Sequence, residues 1–247
     1  RMAIIGVNGK MQNGKDTVGK IWQYLSFNDK QPGQDFIQVM TQVNDMRLAQ
    51  TSGWEIKKFA GKLKEIASIL TGIPVEDFEK EEVKNSYLDS EWDITEQEPG
   101  GVNGTLVSNF TYNMTVRSLL QRVGTDCIRN HLHPDAWVNA LFADYKPLIS
   151  SDGKKIYPNW IITDVRFPNE ADAIKKRGGI LIRIEKPCPE CGVMEGHKMI
   201  PHKVQPSEHP SETALDDYQK FDYVIQNDGT IEDLIEKVKA IHDKVCM

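Results

Sequence analysis

A glycine-rich loop between an apolar run and a helical segment constrains this chain more than any other feature. Residues 2–7 form a short apolar run that is typical of a buried strand. Gly9-x-x-x-x-Gly14-Lys15 follows it, and a helix is predicted from about residue 16 to residue 24. In such a loop, backbone N–H groups turn toward phosphate oxygens, and the helix N-terminus adds partial positive charge. The spacing therefore predicts a P-loop that binds ATP.

Within this loop, the predicted ATP-binding residues are Asn13, Gly14, Lys15, Asp16 and Thr17. Lys15 supplies a point charge for the β and γ phosphates. A P-loop usually has Ser or Thr directly after this lysine, where the hydroxyl contacts Mg²⁺. Here Asp16 stands in that place and Thr17 comes next, as in adenylate-kinase-like proteins, so we expect Thr17 to contact Mg²⁺. The alternative is a glycine-rich turn without a ligand.

Apolar runs and helical repeats alternate along the rest of the chain. Helices are predicted at residues 63–70, 115–130, 134–145 and 168–176 and after Thr230, and further strands at residues 54–59, 160–164, 180–184 and 223–225. The strands are continuous apolar runs, which favours a parallel sheet covered on both faces. We predict an α/β protein with a three-layer P-loop kinase fold. Residues 26–53 are polar, and we interpret them as a long connection whose secondary structure the pattern does not predict.

Charge and hydropathy exclude some classes of protein. The net charge of -6 gives little nonspecific attraction to nucleic acid, so no nucleic-acid partner is expected. No apolar run approaches the roughly 20 residues that span a bilayer, and the N-terminal segment lacks the layout of a signal peptide. The four cysteines do not form a disulfide framework. We therefore expect a cytoplasmic protein that has no membrane partner.

One cysteine pair has the spacing of a metal site. Cys188 and Cys191 are followed by His197 and His202, which is compatible with tetrahedral Zn²⁺ bound by two thiolates and two imidazoles. His209 is an alternative to either histidine. A metal-free loop with incidental cysteines also explains the pattern, since only one CxxC pair is present.

Three arginines lie on the helix predicted at residues 115–130. Seven residues, about two α-helical turns, separate Arg122 from Arg129, so the two are expected to share a face, with Arg117 nearby. Several cations on one helix suit a pocket that holds phosphate charges. The alternative is a solvated helix face.

Four further residues each allow both a functional and a structural interpretation. Asp164 ends a predicted strand, where α/β sheets place ligand sites, so it can orient Mg²⁺ through water, bind a sugar hydroxyl, or cap a helix. Arg166 and Glu170 form either a surface ion pair or a unit in which the carboxylate aims the guanidinium. Trp137 is either a core residue or a platform for a ligand.

Several blocks taken together resemble the bacteriophage deoxynucleoside monophosphate kinases. The matching blocks lie, in family order, at residues 14–17, 59–64, 116–129, 135–138, 162–170 and 209–212. The resemblance implies ATP-dependent phosphorylation of deoxynucleoside 5′-monophosphates to diphosphates for DNA precursor synthesis, with Mg²⁺ and a homodimer. It also implies a single kinase domain over residues 1–247, with an inserted monophosphate-binding region at about residues 60–113 and a lid-like loop at about residues 186–208.

The resemblance also implies roles for individual residues. The catalytic set is Lys15, Arg129 and Arg166, and the monophosphate-binding set is Lys62, Arg117, Gly124, Thr125, Trp137, Asp164, Arg166 and Glu170. The sequence departs from the family in the middle of the phosphate loop. Met11 and Gln12 stand where relatives often have a basic residue, so the contact of the loop with the acceptor phosphate is unassigned.

Two other functions remain open from the sequence. A P-loop small-molecule kinase resembling dephospho-coenzyme A kinases would phosphorylate a hydroxyl and need a base, which Asp164 can supply. A regulatory ATPase would hydrolyse ATP slowly without an acceptor. A phosphate acceptor, with a second pKa of ~6, is already ionised at neutral pH and needs no base.

Overall fold

The computed structural model describes residues 4–97, 109–187 and 213–246 of the chain. Its strands are β1 (Ile4–Asn8), β2 (Trp54–Lys57), β3 (Ile94–Gln97), β4 (Asn109–Tyr112), β5 (Leu148–Ile149), β6 (Lys155–Ile156), β7 (Asn159–Ile162), β8 (Ile180–Glu185) and β9 (Tyr223–Gln226). Its α-helices are α1 (Lys15–Ser26), α2 (Phe36–Gln42), α3 (Asp45–Ser52), α4 (Ala60–Thr71), α5 (Glu81–Asn85), α6 (Val116–Gln121), α7 (Ala136–Phe142), α8 (Pro168–Lys176) and α9 (Ile231–Cys246). The chain divides into two compact units, one made of Arg1–Phe59 with Leu141–Met247 and the other of Ala60–Ala140.

The first unit contains a five-stranded sheet in the order β2-β7-β1-β8-β9. Every neighbouring pair in this sheet is parallel. Parallel strands expose neither face to water, so each strand is a near-continuous apolar run. The predicted α/β fold with a parallel sheet, as in P-loop kinases, is confirmed.

Helices cover both faces of β1. Ile5 and Val7 belong to an apolar cluster that includes Val18 of α1 and Val238 of α9. Successive strand residues point to opposite faces. The residue between them, Gly6, faces α8, because a Cβ there would lie 2.7 Å from the Ile174 side chain. The glycine thus lets α8 approach the sheet closely.

Residues 26–53, whose secondary structure was not predicted, contain two short helices. Asp35 caps α2 with a capping box, and the side chain of Asn44 accepts from the Arg47 backbone to cap α3. Val39 and Leu48 are fully buried and pack together with Phe27. Helices of seven and eight residues are too short for an apolar period to be visible in the sequence.

The second unit combines short helices with the antiparallel pair β3–β4. Its core contains Ala67, Phe78 and Val116. The helix predicted at residues 115–130 is present, but it is an α-helix only as far as Gln121 (α6), and Arg122–Leu132 is a π-helix.

The π-helix also makes the predicted alignment of two arginines wrong. Its i→i+5 hydrogen bonds wind the backbone more loosely than an α-helix does, so residues seven apart no longer share a face. Arg122 is exposed, whereas Arg129 is half-buried. Within residues 4–97, 109–187 and 213–246, none of the helices combines the length and apolar character that a membrane span requires.

Candidate active site

The loop between β1 and α1 is shaped by Gly9 and Gly14 and by Gln12, a non-glycine residue with a left-handed backbone conformation. A Cβ on Gly9 would lie 2.5 Å from the carbonyl oxygen of Ile184, so only glycine allows the loop to pass β8 this closely. Gly14 precedes α1 with a φ of 99°, a conformation that L side chains rarely adopt. Gln12 has a φ of 63°, which costs a non-glycine residue roughly 1–2 kcal/mol. The P-loop path therefore depends on the glycines that the motif specifies.

Lys15 lies over this loop. Its ammonium donates to the carbonyl oxygen of Gly9 at 2.6 Å and to that of Lys10 at 2.7 Å. Both acceptors are in the loop itself, so the charge stays close to the N-terminus of α1. This is the position from which a P-loop lysine reaches phosphate oxygens.

Asparagine side chains tie the loop to neighbouring elements. Asn13 donates from its amide to the carbonyl oxygen of Ile184 at 3.2 Å, and Asn227 donates to the carbonyl oxygen of Asn13 at 2.9 Å. Asn227 comes from the connection between β9 and α9, where Thr230 and Asp233 form reciprocal cap contacts. The helix after Thr230 was predicted, but the bond from Asn227 was not, because the two asparagines are 214 residues apart.

Asp16, which follows the P-loop lysine, contacts two side chains that lie just after strands of the sheet. An oxygen of Asp16, Oδ1, accepts from the Thr163 hydroxyl at 2.6 Å and lies 3.2 Å from the Lys58 ammonium. Partial desolvation of the carboxylate opposes ionisation of Asp16, but the Thr163 hydrogen bond and the charges of Lys58 and Lys15 outweigh it, so the pKa of Asp16 is lowered. The carboxylate is therefore ionised at neutral pH. Sequence reasoning missed both partners.

Two of the predicted site residues after β7, Asp164 and Glu170, accept hydrogen bonds from backbone N–H groups. Asp164 accepts at Oδ1 from the backbone N–H of Phe59, 2.8 Å away. Glu170 is 2% exposed, and its Oε2 accepts from the backbone N–H groups of Arg166 at 2.8 Å and Phe167 at 3.1 Å. The carboxylate thereby caps α8 and fixes the backbone that carries Arg166.

A cavity of about 320 Å³ adjoins the phosphate loop in the first unit. Residues of β1, the loop, β8 and β9 line it, together with Arg166, Lys186, Pro187, Leu215 and Asp216. Arg183 in its wall lies 3.0 Å from Glu185 and 3.5 Å from Asp216, and Lys10 lies 3.7 Å from Asp216. The volume lies in the range of small-ligand pockets, and charged groups of both signs line it. No sequence pattern indicated that Arg183 or Asp216 would line a cavity.

Two basic residues of the second unit with predicted monophosphate roles are engaged with acidic partners. Arg117 donates to Glu81 at 2.7 Å and to Asn85 at 3.1 Å. Lys62 lies 3.3 Å from Glu65. The pKa of Glu81 is lowered by its hydrogen bond from Lys84 and by that from Arg117. An incoming phosphate would compete with these carboxylates for the cations.

Trp137 and Gly124 have the contacts of core residues. Trp137 is 6% exposed, and its indole donates to the carbonyl oxygen of Gly124 at 2.8 Å. A Cβ on Gly124 would lie 2.8 Å from a methyl of Leu63, so this glycine lets the π-helix contact α4. Thr125 and Arg129 are half-buried on the same π-helix, and Arg129 donates to the carbonyl oxygen of Pro134 at 3.4 Å.

The predicted zinc ligands lie outside the described residues. These are Cys188, Cys191, His197 and His202, with His209 as the alternative. Most of the lid-like loop at residues 186–208 falls in the same gap. Among the residues that the structure describes, no group of three or more His, Cys, Asp or Glu side chains is arranged to hold a metal ion.

Sequence comparisons match the chain to one family of kinases. The sequence profile of the family described as deoxynucleotide monophosphate kinase matches residues 62–238, a range that begins after the phosphate loop. The chain is 32% identical over 139 residues to a protein of Acanthamoeba polyphaga mimivirus assigned to this type of kinase, covering 53% of this chain and 63% of that protein. It is 30% identical over 134 residues to the deoxynucleotide monophosphate kinase of Enterobacteria phage T4, covering 54% of this chain and 48% of that kinase. The corresponding kinase of Escherichia phage RB69 is 25% identical over 135 residues, covering 55% and 48%.

The share of each sequence that is matched determines whether these comparisons show the family of the chain. The chain matches about half to two thirds of the length of these relatives. The family profile covers well over half of the chain itself, from α4 into α9. The chain therefore belongs to the deoxynucleotide monophosphate kinase family.

Proposed function

We propose that the protein transfers the γ-phosphoryl group of ATP to deoxynucleoside 5′-monophosphates. The observation that carries this proposal is the Lys15 ammonium held over a glycine-shaped loop at the N-terminus of α1, in a chain of this kinase family. The loop and helix terminus supply positive potential for the phosphates. The adjoining cavity of about 320 Å³ is large enough for the nucleoside of ATP.

In this proposal the acceptor is itself an anion, so its repulsion from ATP is the main barrier that the protein must lower. An oxygen of the monophosphate attacks the γ-phosphorus in line, and ADP leaves. The acceptor oxygen carries no proton at neutral pH, so no general base is required. Catalysis then consists of positioning and charge neutralisation by Lys15, Arg129 and Arg166. Lys62, Arg117, Gly124, Thr125, Trp137, Asp164 and Glu170 form or support the monophosphate site.

Two of the predicted site residues carry oxygen donors of the kind that suits Mg²⁺. The Thr17 hydroxyl and the Asp164 carboxylate are hard ligands of the kind that Mg²⁺ prefers. These residues would hold the ion directly or through water. When bound, the ion would neutralise negative charge on the phosphates. We further propose a homodimer that acts in the cytoplasm, which is that of the bacterial host if a phage encodes the chain. Sedimentation of the purified chain tests the dimer.

An assay of ADP release across nucleotide acceptors tests the function. We expect ADP release that requires a deoxynucleoside monophosphate, with dephospho-coenzyme A giving none. Lys15→Ala should lower kcat/KM by at least ~10³-fold, because it removes a cation that neutralises the transferred phosphate. Lys20→Ala is the matched control, since Lys20 lies on the same helix and pairs with Asp45.

Two results would contradict the proposal. ATP hydrolysis that is indifferent to deoxynucleotides would favour a regulatory ATPase. A Lys15→Ala protein with the turnover of the wild type would show that the loop is not the phosphate site.

A further inference from the structure

We propose that Lys58 and Thr163 are positioning residues that allow the phosphate loop to carry an aspartate beside the phosphates of ATP. They hold the Asp16 carboxylate at the first turn of α1, and Lys58 compensates its charge. The inference rests on the proposed function only in requiring that ATP binds at this loop.

Asp16 creates an electrostatic problem for an ATP site. It directly follows Lys15, at the place where a P-loop usually has an uncharged Ser or Thr. A triphosphate is strongly anionic, and a nearby carboxylate repels it. A chain with aspartate here therefore needs a compensating charge that does not itself displace the phosphates.

The sheet supplies that compensation from two neighbouring strands. Lys57 of β2 and Ile162 of β7 are register partners, so the next residue of each strand, Lys58 and Thr163, emerges at the same edge. Both reach the same carboxylate oxygen of Asp16, with the Thr163 hydroxyl at 2.6 Å and the Lys58 ammonium at 3.2 Å.

Thr163 is fixed in place by packing. It is 1% exposed, and a Cβ on Gly19 would lie 2.8 Å from its methyl carbon. The absence of a side chain at Gly19 thus lets α1 approach β7 closely enough for the hydroxyl to reach Asp16. The carboxylate is held on one side by this buried donor, while Lys58 approaches from β2.

Removal of the Lys58 charge is expected to weaken ATP binding rather than slow transfer. The Asp16 side chain is 66% exposed, so solvent screens its charge and limits the effect. We expect Lys58→Met to raise the Kd for a non-hydrolysable ATP analogue about 10-fold, which is ~1.4 kcal/mol. The KM for ATP should rise in parallel, while kcat at saturating ATP stays within about 2-fold. Lys58→Arg should restore binding, because it returns the charge.

Calorimetric titration of the full chain with the analogue, with and without Mg²⁺, measures this directly. Lys57→Met is the matched control, because Lys57 is the preceding residue and pairs with Glu55 at 2.7 Å. We expect its Kd to equal that of the wild type. Thr163→Val keeps the methyl packing and removes only the hydroxyl, so it should give a smaller loss than Lys58→Met.

A double variant separates charge compensation from a direct contact with phosphate. In an Asp16→Asn background no carboxylate needs compensation, so adding Lys58→Met should cost little further affinity. An equal loss in both backgrounds would overturn the inference, since Lys58 would then act on the nucleotide itself. Wild-type affinity in Lys58→Met would also overturn it. A wild-type chain that binds no analogue would instead refute the proposed function.

Discussion

Replacing Glu170 by alanine tests whether this buried carboxylate stabilises the fold before any ligand binds. Its Oε2 accepts from the backbone N–H groups of Arg166 and Phe167 at the start of α8, and the residue is 2% exposed. Hydrogen bonds to a charged group contribute ~1.5–3 kcal/mol each. Because these two share one oxygen, we take about 3 kcal/mol for the pair rather than the sum. Glu170→Ala should therefore lower the free energy of unfolding by about 3 kcal/mol.

Differential scanning calorimetry of the unliganded protein measures this loss. At ~2–4 °C per kcal/mol for a chain of this size, Tm should fall by roughly 6–12 °C. Glu170→Gln retains one acceptor oxygen without the charge, so its Tm should lie between those of the wild type and the alanine variant. Glu232→Ala is the control, since Glu232 is an exposed glutamate in the first turn of α9.

The reasoning fails if the unliganded Glu170→Ala protein melts within roughly 2 °C of the wild type, which corresponds to an ordinary surface substitution. That result, combined with a raised KM for the deoxynucleotide, would show that Glu170 acts only on the ligand. A loss of stability together with a raised KM would show that the cap also fixes Arg166 for binding.

Two further predictions concern the loop and the pH dependence of stability. Gly9→Ala places a Cβ 2.5 Å from the Ile184 carbonyl oxygen, so the loop must move. Calorimetry should show both a lower Tm and weaker binding of an ATP analogue. Unchanged affinity for the analogue would contradict this prediction. The pH prediction concerns the hydrogen bond that the Tyr218 hydroxyl donates to Asp172 at 2.8 Å. Burial and this bond raise the pKa of Tyr218 to about 12, and the same bond lowers the pKa of Asp172. The pair's contribution is therefore lost as pH falls through the lowered pKa of Asp172 or rises from ~10 through that of Tyr218. The stability difference between wild type and Tyr218→Phe should be largest at neutral pH and shrink above pH ~10, and a difference that is constant from neutral to alkaline pH would refute the assignment.

In the second unit, the sequence pattern correctly predicts a helix but not the type of helix. The sequence of residues 115–130 has helical composition, and the structure is helical there. What the sequence does not reveal is the change from α to π winding at Arg122, because both forms satisfy the backbone and differ by one residue in hydrogen-bond spacing. Side-chain alignment over seven residues depends on that spacing, so the predicted arginine face was wrong.

Trp137 illustrates a different limit. The sequence allowed either a core residue or a ligand platform, and the family resemblance favoured the platform. The indole donates to Gly124, and the side chain is nearly covered. An exposed fraction is a property of the packed chain, so no sequence pattern around Trp137 could have provided it.

The sequence by itself determined the phosphate loop and the parallel sheet. Glycine spacing and continuous apolar runs act over a few residues, where backbone sterics and burial leave few alternatives. Only the tertiary structure decided what surrounds that loop. Asp16 meets Thr163 across 147 residues because β1 and β7 are neighbours in the sheet, and Lys58 arrives from β2 for the same reason. Such partners are brought together by strand order and register, and neither is encoded within any one segment of the chain.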